Sequence, residues 1–381
     1  MDALGIDIGS TNIKVVLVGR DGTTLAAAQH PLTWTRHGDV AEQDASALWD
    51  AVLAALGDVA ASAGEGGLAD VGAVGSCGQY SSIVPVDGAG LPLAPMRLYF
   101  DQRGTGHCFE ILGRHEEAFL TWVDRHPIPP VGGGLALGHL LGFQLDQPDL
   151  HQRVAAYLEP VDYVTARLTG TLAATQGSMF ASQLIDNRTL GTTRYDDELV
   201  AMAGVDASRL PRLLEVGATV GEVRSEVADA IGLRAGVAVL TGMTDSCAGA
   251  QATGAGQRGR IGVAIGTTGV VLSAVTWWRL LRRDPLLLSQ ILLPLLYFAP
   301  LMAVFGSQIS DGEVSRFSAA GVASAFVLIV TSFAASLAWL TVSAEDAPDL
   351  ITSAPVSRDQ IDNAKAFAEV GDTVKAGQAV C

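Results

Sequence analysis

Three short runs of apolar and β-branched residues open the chain, and small or polar turn residues separate them. The pattern predicts strands at residues 4–8, 13–18 and 24–29. Asp21 and Gly22 are typical of the tight turn that joins two antiparallel strands. We therefore expect a three-stranded meander at the start of the chain.

A helix and a further strand are predicted directly after the meander. Asp44 is suited to cap the helix, and apolar residues follow at helical spacing at Trp49, Val52, Leu53, Leu56 and Val59. Residues 71–76 then return as a strand. The resulting βββαβ order is that of a ribonuclease-H-like domain, although order alone does not exclude other α/β folds.

The middle of the chain is less regular, and clear patterning resumes beyond residue 220. Before that point, residues 161–168 predict a helix that Gly170 ends. The later predicted elements are a helix at 223–231, a strand at 237–241, a turn at 242–244, a helix that opens near Asp245, and a hairpin of strands 261–265 and 270–274.

Two long segments without a charged residue follow, at residues 286–305 and 317–342. Each is long enough to cross a hydrocarbon core of roughly 30 Å. Arg279, Arg282 and Arg283 precede the first segment and predict that this end stays in the cytoplasm. We therefore predict two transmembrane helices and membrane association through residues 286–342; two buried helices of a soluble core are the alternative.

Charge and cysteine content argue against several classes of protein. The chain has 24 Lys and Arg residues against 40 Asp and Glu, a formal net charge of -16, which argues against a nucleic-acid-binding surface. No CxxC pair and no histidine pair at metal-ligand spacing occurs, so neither a disulfide framework nor a zinc site is indicated. The chain also enters its first strand without a signal-type leader, so we expect a cytoplasmic protein.

A candidate phosphate loop lies between the first two predicted strands. The small residues Gly9, Ser10 and Thr11 let backbone N–H groups approach phosphate oxygens, and the two hydroxyls add donors. Asp7 ends the preceding strand and is suited to hold Mg²⁺ through water, because this ion prefers oxygen ligands and retains part of its hydration shell. An ordinary hairpin turn is the alternative.

A second candidate loop, Gly266-Thr267-Thr268-Gly269, also lies between two predicted strands. Two such strand-turn-strand loops in one chain are the signature of an actin-like ATPase core, in which they grip the nucleotide phosphates from both sides of a cleft.

Asp245 is the candidate catalytic base. It lies at the start of a helix just after a buried strand. A sugar hydroxyl is a poor nucleophile, so a carboxylate within hydrogen-bond reach can accept its proton as the phosphoryl group leaves ATP. The alternative is that Asp245 only caps the helix, and both roles are compatible.

The chain resembles the FGGY carbohydrate kinases, and within them the xylulokinase-like group, over residues 1–275. The resemblance rests on motifs in one order, namely DIGSTNIK at 7–14, Glu42-Gln43-Asp44 followed by Trp49, Gly78-Gln79, Asp101-Gln102-Arg103, the block TGMTDSCAGA at 241–250, and IGTTG at 265–269. This set is far more specific than any single motif.

The resemblance implies an α/β protein with the actin-like (ribonuclease-H-like) ATPase fold, ATP and Mg²⁺ as ligands, and Asp245 as catalytic base. It also implies that the ATP phosphates are surrounded by Gly9, Ser10, Thr11, Lys14, Gly266, Thr267, Thr268 and Gly269. By the same resemblance the sugar pocket is lined by Gln79, Tyr80, Asp101 and Arg103.

Two departures from the family pattern bear on function. Xylulokinases usually have a Met-His pair after the Gly-Gln, whereas Tyr80-Ser81 stands here, which leaves the identity of the sugar open. The family's second domain also continues beyond the GTTG loop, and nothing after Val275 resembles it. We therefore expect a complete first domain, a truncated second domain and impaired turnover.

These observations predict four regions. They are a sugar-binding first kinase domain at 1–235, the start of the second at 236–275, two transmembrane helices at 276–345, and a tail at 346–381. Residues 277–360 resemble part of a bacterial ABC-type permease, and residues 367–381 resemble the hairpin of a biotinyl carrier domain.

The leading hypothesis is ATP-dependent phosphorylation of a small sugar or polyol hydroxyl, with a xylulose-like ketopentose favoured. The kinase part is expected in the cytoplasm, tethered to the inner membrane by residues 286–342. The alternatives are a membrane-embedded transporter component and a non-functional composite of unrelated fragments. The sequence leaves the oligomeric state open.

Overall fold

The computed structural model describes residues 2–64, 67–126, 128–255, 261–265 and 269–273. These residues belong to one compact unit that ends at Ala274. The predicted transmembrane helices, the predicted tail at 346–381 and residues 266–268 of the second phosphate loop lie outside the described residues.

The strands of the described part are short, and each has two to eight residues. They are β1 (Asp2–Ile8), β2 (Asn12–Val18), β3 (Thr24–Pro31), β4 (Thr35–His37), β5 (Val40–Gln43), β6 (Val71–Gly78), β7 (Val84–Val86), β8 (Met96–Arg97), β9 (Ala156–Leu158), β10 (Ala173–Thr175), β11 (Arg212–Leu214), β12 (Thr219–Glu222), β13 (Ala238–Leu240), β14 (Met243–Thr244), β15 (Ile261–Ile265) and β16 (Gly269–Ser273).

The α-helices lie between these strands, and two short 3₁₀ helices, Ser178–Ser182 and Ala207–Arg209, accompany them. The α-helices are α1 (Ala45–Ser62), α2 (Thr105–Arg114), α3 (Ala118–Arg125), α4 (Ala136–Asp146), α5 (Pro148–Arg153), α6 (Pro160–Thr169), α7 (Asp197–Ala203), α8 (Ser225–Ile231) and α9 (Asp245–Ala252).

A seven-stranded sheet forms the centre of the unit, and its order is β12-β13-β6-β1-β2-β3 with β14 also pairing with β6. The predicted meander is confirmed, because β1, β2 and β3 pair antiparallel in sequence order. On the other side of β1, strand β6 runs parallel to it. Since β13 and β14 are also parallel to β6, the carboxyl ends of these strands lie at one edge of the sheet.

Helix α1 confirms the predicted cap and the predicted apolar face. The Asp44 carboxylate accepts hydrogen bonds from the backbone N–H groups of Ser46 and Ala47, at 2.8 and 3.3 Å. Its apolar side chains, Trp49 and Val52 among them, are buried in the same cluster as strands β1 and β2. The helix is long and apolar enough to cross a membrane by composition alone, but this burial identifies it as a core helix.

The later elements agree with the sequence in kind and differ in their ends. Helix α6 ends at Gly170 as predicted, and this residue adopts the left-handed conformation with φ of 78°. Helix α8 begins at Ser225, two residues later than predicted. The backbone N–H of Val223 donates instead to the carbonyl of Val237 at 2.9 Å, so this residue extends the β12–β13 pairing.

The segment predicted as a turn at residues 242–244 contains a strand. Met243 and Thr244 form β14 and pair with Cys77 and Gly78 of β6. A two-residue strand has no periodicity that a sequence pattern reveals. The predicted domain boundary at residue 235 therefore falls inside the central sheet, because β13 and β14 both belong to it.

A second apolar cluster accounts for much of the stretch that the sequence left unassigned. Its buried side chains come mainly from helices α3, α4 and α7, and the Trp122 indole donates to the carbonyl of Gln183 at 2.9 Å. Next to it, β4, β5 and β8 form a three-stranded sheet. The residues after β8, from Tyr99 to Arg103, contribute to the site described below.

Candidate active site

Part of the predicted site follows the ends of three neighbouring strands. Ile8 of β1 is the register partner of Gly78 of β6, and Gly78 is the partner of Thr244 of β14. The residues that follow these strands, namely Gly9, Gln79 and Asp245, therefore leave the sheet side by side. The backbone N–H of Gln79 donates to the Ile8 carbonyl at 2.8 Å and holds two of these chain segments together. Ligands of α/β sheets bind at this carboxyl edge of the strands.

The first loop is anchored by its backbone. The N–H of Gly9 donates to the carbonyl of Asn12 at 3.0 Å, and a Cβ at position 9 would lie 2.9 Å from that carbonyl oxygen. The Gln43 amide donates to the Ser10 carbonyl at 2.9 Å from outside the loop. Ser10 is buried and Thr11 is exposed. The tightness of this turn requires glycine and fixes the backbone of Ser10.

Asp7 lies between a lysine and a cysteine at the base of this loop. Its Oδ2 is 3.4 Å from Lys14 Nζ, and its Oδ1 accepts from Cys77 Sγ at 3.8 Å. Burial, followed by the charges of Asp7 and Asp245, raises the pKa of Cys77 to about 12, so this thiol stays protonated. The Asp7 side chain remains 39% exposed.

The donor set near Asp7 fits a metal ion that keeps most of its water. Within the described residues no group of three or more His, Cys, Asp and Glu side chains is arranged to hold a metal. Asp7 therefore offers a single exposed carboxylate. This suits Mg²⁺, which is bound through few protein ligands together with water and substrate phosphates.

Asp245 is the first residue of α9, and Thr244 rather than Asp245 caps the helix. The Thr244 hydroxyl accepts from the Cys247 N–H at 3.4 Å, while Asp245 Oδ1 accepts from the N–H and hydroxyl of the adjacent Ser246. The alternative that Asp245 is the N-cap is thus wrong. Burial first, and then the charge of Asp7, raises the pKa of Asp245 above its ordinary value. A carboxylate with a raised pKa is a stronger proton acceptor.

Gln79 and Tyr80 lie next to Asp245 but differ in exposure. Gln79 is 5% exposed, and its amide nitrogen has no hydrogen-bond partner among the described residues. Tyr80 is 37% exposed. Burial, and then the charge of Asp245, raises the pKa values of both Tyr80 and Tyr99, so both phenols share surroundings with the Asp245 carboxylate.

Asp101 is further from solvent than the sequence implied. It is 0% exposed, and its carboxylate accepts from the Ala41 N–H at 2.8 Å and from Arg103 Nε at 2.9 and 3.1 Å. Burial raises the pKa of Asp101, but the Arg103 guanidinium and the backbone donors outweigh it, so the net pKa is lowered. Arg103 also reaches Glu42 at 2.7 Å. The buried Asp101 carboxylate therefore fixes the orientation of the Arg103 guanidinium, which is itself partly exposed to solvent.

Sequence reasoning missed Glu159, Ser81 and Ser82 as parts of the site. Glu159 directly precedes helix α6 and is 0% exposed. Its carboxyl group accepts hydrogen bonds from the backbone N–H groups of Ser81 and Ser82. The only sequence signal is a glutamate placed between apolar strand and helix residues. Such a carboxylate needs buried donors from elsewhere in the chain.

The second predicted loop is only partly within the described residues. Strands β15 and β16 form the predicted antiparallel hairpin, and Gly269 begins β16. Gly266, Thr267 and Thr268 lie outside the described residues. Their assignment to the ATP phosphates stays a prediction.

Comparison of the sequence with protein families gives a match over most of the described part of the chain. Residues 3–251 match the model described as the N-terminal domain of the FGGY family of carbohydrate kinases. The chain is 28% identical over 271 residues to a xylulose kinase of Escherichia coli, covering 70% of this chain and 53% of that protein. It is also 28% identical over 281 residues to a xylulose kinase of Bacillus subtilis, covering 71% and 53%.

Solved structures agree with this match. The xylulose kinase from Rhodospirillum rubrum superposes with a TM-score of 0.65 at 25% identity, covering 72% of this chain and 56% of that one. The glycerol kinase from Plasmodium falciparum with ADP has a TM-score of 0.63 at 13% identity, and covers 71% and 53%. The predicted actin-like fold is thus confirmed for the matched part. The chain spans about half the length of the relatives that it matches.

Proposed function

Because the chain belongs to the FGGY family of carbohydrate kinases, we propose that it transfers the γ-phosphoryl group of ATP to a hydroxyl of a small sugar, with xylulose as the favoured acceptor. The observation that carries this proposal is the register of three parallel strand ends. Ile8, Gly78 and Thr244 are aligned, so the Gly9 loop, Gln79 and the Asp245 carboxylate occupy one edge of the sheet.

Asp245 is proposed as the general base. Its carboxylate accepts the proton of the attacking hydroxyl as the sugar oxygen bonds to the γ-phosphorus and the bond to ADP breaks. The raised pKa of Asp245 supports this role, because a carboxylate with a raised pKa is a stronger proton acceptor. The neighbouring charge of Asp7 contributes to that shift.

The phosphates of ATP are proposed to lie against Gly9, Ser10, Thr11 and Lys14, with the 266–269 loop opposite. The backbone of the first loop is fixed by Gln43 and by the Asn12 carbonyl, so its N–H groups and hydroxyls need little rearrangement to bind an anion. Asp7 would hold Mg²⁺ through water. That ion would neutralise charge on the phosphate oxygens, and the Lys14 ammonium beside Asp7 adds a second positive charge.

The sugar is proposed to contact Gln79, Tyr80 and Arg103. The amide nitrogen of Gln79 is a buried donor without a hydrogen-bond partner among the described residues, and a sugar oxygen would accept its hydrogen bond. Asp101 is proposed to act through Arg103, whose guanidinium it orients with two hydrogen bonds. Tyr80 occupies the position at which xylulokinases usually have methionine. A rigid aromatic ring therefore replaces a flexible side chain beside the acceptor sugar.

The direct test of this function is phosphoryl transfer by the full chain. The protein is incubated with Mg-ATP and xylulose, and ³¹P NMR follows the sugar phosphate and ADP. We expect a sugar phosphate signal that grows with ADP, and no such signal when the sugar is omitted. ADP and inorganic phosphate alone, at equal rates with and without xylulose, would identify an ATPase and refute the kinase.

The kinase part is proposed to act in the cytoplasm, tethered to the inner membrane by residues 286–342. The support is the absence of any charged residue from 286–305 and from 317–342. Full-length protein should sediment with membranes and be released by detergent. Protein that stays in the supernatant without detergent would exclude the tether and leave the kinase proposal intact.

A further inference from the structure

Ser81 adopts a backbone conformation that its side chain disfavours. Its φ is +64°, and Gln183 is the only other non-glycine residue of the described part with a positive φ. The left-handed region is unfavourable for a residue with a Cβ, and such residues persist only where their surroundings hold them. Residues held in this way concentrate at functional sites. Ser81 directly follows Tyr80 of the candidate sugar pocket.

Glu159 is the main group that holds this conformation. Its Oε1 accepts from the Ser81 N–H at 3.0 Å, and its Oε2 accepts from the Ser82 N–H at 3.1 Å. Both oxygens of the Glu159 carboxyl group are thereby used on two consecutive backbone donors. Glu159 lies 78 residues further along the chain than Ser81 and comes from the start of α6, a rigid element of the core.

Two further contacts complete the restraint on Ser81. The Ser81 hydroxyl donates to the Gly134 carbonyl at 2.9 Å, and His139 Nε2 lies 3.1 Å from the Ser81 carbonyl oxygen. Burial lowers the pKa of His139 to about 4, so the ring is neutral at pH 7. Its Nε2 must therefore carry the proton, because the carbonyl can only accept. Every polar group of Ser81 is satisfied by a distant part of the chain.

The Ser82 hydroxyl in turn fixes the orientation of the Gln79 side chain. The Tyr99 N–H donates to the Ser82 hydroxyl oxygen at 3.1 Å, and that hydroxyl lies 3.4 Å from Gln79 Oε1. Since Gln79 Oε1 can only accept, the Ser82 proton points to it. The carboxamide of Gln79 is thus oriented with its oxygen towards Ser82 and its NH₂ group away from it. That NH₂ group is the one without a partner among the described residues.

We propose that Glu159 is a positioning residue for the acceptor pocket, because it keeps Ser81 left-handed and, through the Ser82 hydroxyl, turns the Gln79 NH₂ group towards a ligand oxygen. This inference rests on the proposed function only for the identity of that ligand. The pocket then selects a group that accepts a hydrogen bond at this position, such as a carbonyl or hydroxyl oxygen of a sugar. Glu159 itself touches no substrate.

The key variant is Glu159→Gln in the full chain. Glutamine has one acceptor oxygen in place of two, so one of the two backbone N–H groups loses its partner. We expect KM for xylulose to rise about tenfold, the equivalent of one lost hydrogen bond. We expect KM for ATP to change less than about twofold, because the hydrogen bonds of the Glu159 side chain within the described residues go to Ser81 and Ser82 and not to the Gly9 loop.

A second substitution tests the mechanism by rescue. Ser81→Gly in the Glu159→Gln background removes the Cβ that disfavours a positive φ, so the turn forms again with less help. We expect recovery of about fivefold in KM for xylulose. Asp162→Asn is the matched control, because Asp162 is a buried carboxylate three residues further on that makes no hydrogen bond to Ser81 or Ser82. It should leave both KM values unchanged.

A readout without turnover separates this proposal from the kinase proposal. The side-chain NH₂ signals of Gln79 are assigned in a ¹⁵N–¹H spectrum by their loss in Gln79→Glu. They should shift in Glu159→Gln, return towards the wild-type position in the Ser81→Gly double variant, and stay in place in Asp162→Asn. Should Glu159→Gln not fold, Ser82→Ala tests the same path, since it removes the hydroxyl between Tyr99 and Gln79.

The outcomes are distinct. Shifted Gln79 signals with rescue support the positioning role even if xylulose is not phosphorylated, and xylulose added to the wild type should move the same signals. Signals and xylulose KM that are unchanged in Glu159→Gln or Ser82→Ala overturn the positioning role and leave the kinase intact. Wild-type signals that xylulose and its reduced form xylitol both fail to move overturn the claim that Gln79 faces a ligand.

Discussion

Gly78 lies opposite Thr244 on adjacent parallel strands, and this pairing sets Asp245 beside the first residues that follow β6. The same Gly78 is the register partner of Ile8 on its other side. One glycine thus lies between the strand that leads to the candidate phosphate loop and the strand that leads to Asp245, the proposed general base. The geometry of the candidate site depends on how closely these three strand ends approach.

Gly78→Ala should therefore destabilise the protein by disturbing the packing of these strand ends. A Cβ at position 78 would lie 2.7 Å from Ile8 Cβ and 2.8 Å from the Ile8 carbonyl oxygen, so β1 or β6 has to move. We expect a loss of about 1–3 kcal/mol in the free energy of unfolding, measured by urea denaturation. Gly75→Ala in the same strand is the control, because a Cβ there meets nothing within 4 Å. Equal effects of the two substitutions would contradict the packing described.

The pKa of Asp245 should respond to Asp7. Burial and the negative charge of Asp7 both raise the pKa of Asp245, so removing that charge should lower it. In Asp7→Asn the titration of the Asp245 carboxyl carbon, followed by ¹³C NMR, should move to lower pH. Asp229→Asn, an exposed aspartate on α8, is the control and should leave the titration in place. A titration that Asp7→Asn leaves unmoved, or moves to higher pH, would mean that the two carboxylates are not close.

The same shift predicts the pH dependence of turnover. A general base must be deprotonated, so kcat/KM should fall as pH decreases through the pKa of Asp245. Because that pKa is raised, the fall should be centred above the ordinary aspartate value of about 3.9. A profile centred below that value would argue against Asp245 as the titrating group.

Asp162→Asn should stabilise the protein at neutral and alkaline pH. Asp162 is buried, and burial raises its pKa well above the ordinary value. The folded state then retains a proton that the unfolded state releases, so stability falls as pH rises from the unfolded pKa towards the folded one. The slope approaches about 1.4 kcal/mol per pH unit for one proton.

The measurement is the melting temperature of wild type and Asp162→Asn between pH 5 and 8. The gap in favour of the variant should widen as pH rises, because asparagine has no proton to lose. A gap that narrows as pH rises would mean that the folded state does not hold the Asp162 proton more tightly than the unfolded state does. It would contradict a raised pKa for this carboxyl group.

Arg103→Ala should destabilise the fold through Asp101. It removes the cation that holds a carboxylate with no exposed surface. Breaking such a pair on one side leaves an uncompensated buried charge, and we expect a loss of about 3 kcal/mol in urea denaturation. Asp101→Asn combined with Arg103→Ala should recover part of it. The exposed Arg114→Ala should change stability by less than about 0.5 kcal/mol, and a similar small value for Arg103→Ala would show that Asp101 is not held by Arg103.

Local signals made much of the fold predictable. Asp44 caps α1 and Gly170 ends α6 because capping depends on residues within one helical turn, and the sequence displays them directly. The meander was predictable for the same reason, since its turns are short. Strand β14 was not, because two residues have no periodicity and its pairing with β6 joins positions far apart in the chain.

The candidate site likewise contains residues that local motifs predicted and residues that depend on contacts between distant parts of the chain. Asp7, Gly9 and Asp245 could be predicted as site residues because each lies at or next to the end of a strand within a recognisable motif. The proposed role of Glu159 depends on its hydrogen bonds to Ser81 and Ser82, which are separated from it by 78 and 77 positions along the chain. No local sequence pattern encodes such contacts. Asp101 was expected to line the sugar pocket, but its motif could not reveal that Ala41 and Arg103 occupy its carboxylate.

Asp245→Asn compared with wild type is the most direct test of the account. The two proteins are assayed for xylulose-dependent transfer of the γ-phosphoryl group of ATP, at concentrations where calorimetry shows equal occupancy by both ligands. Asparagine keeps the shape of the side chain but cannot accept the proton, so we expect transfer to fall about 10²–10⁴-fold with ligand binding preserved. Transfer by Asp245→Asn within about threefold of wild type would contradict the assignment of the three strand ends as a catalytic site.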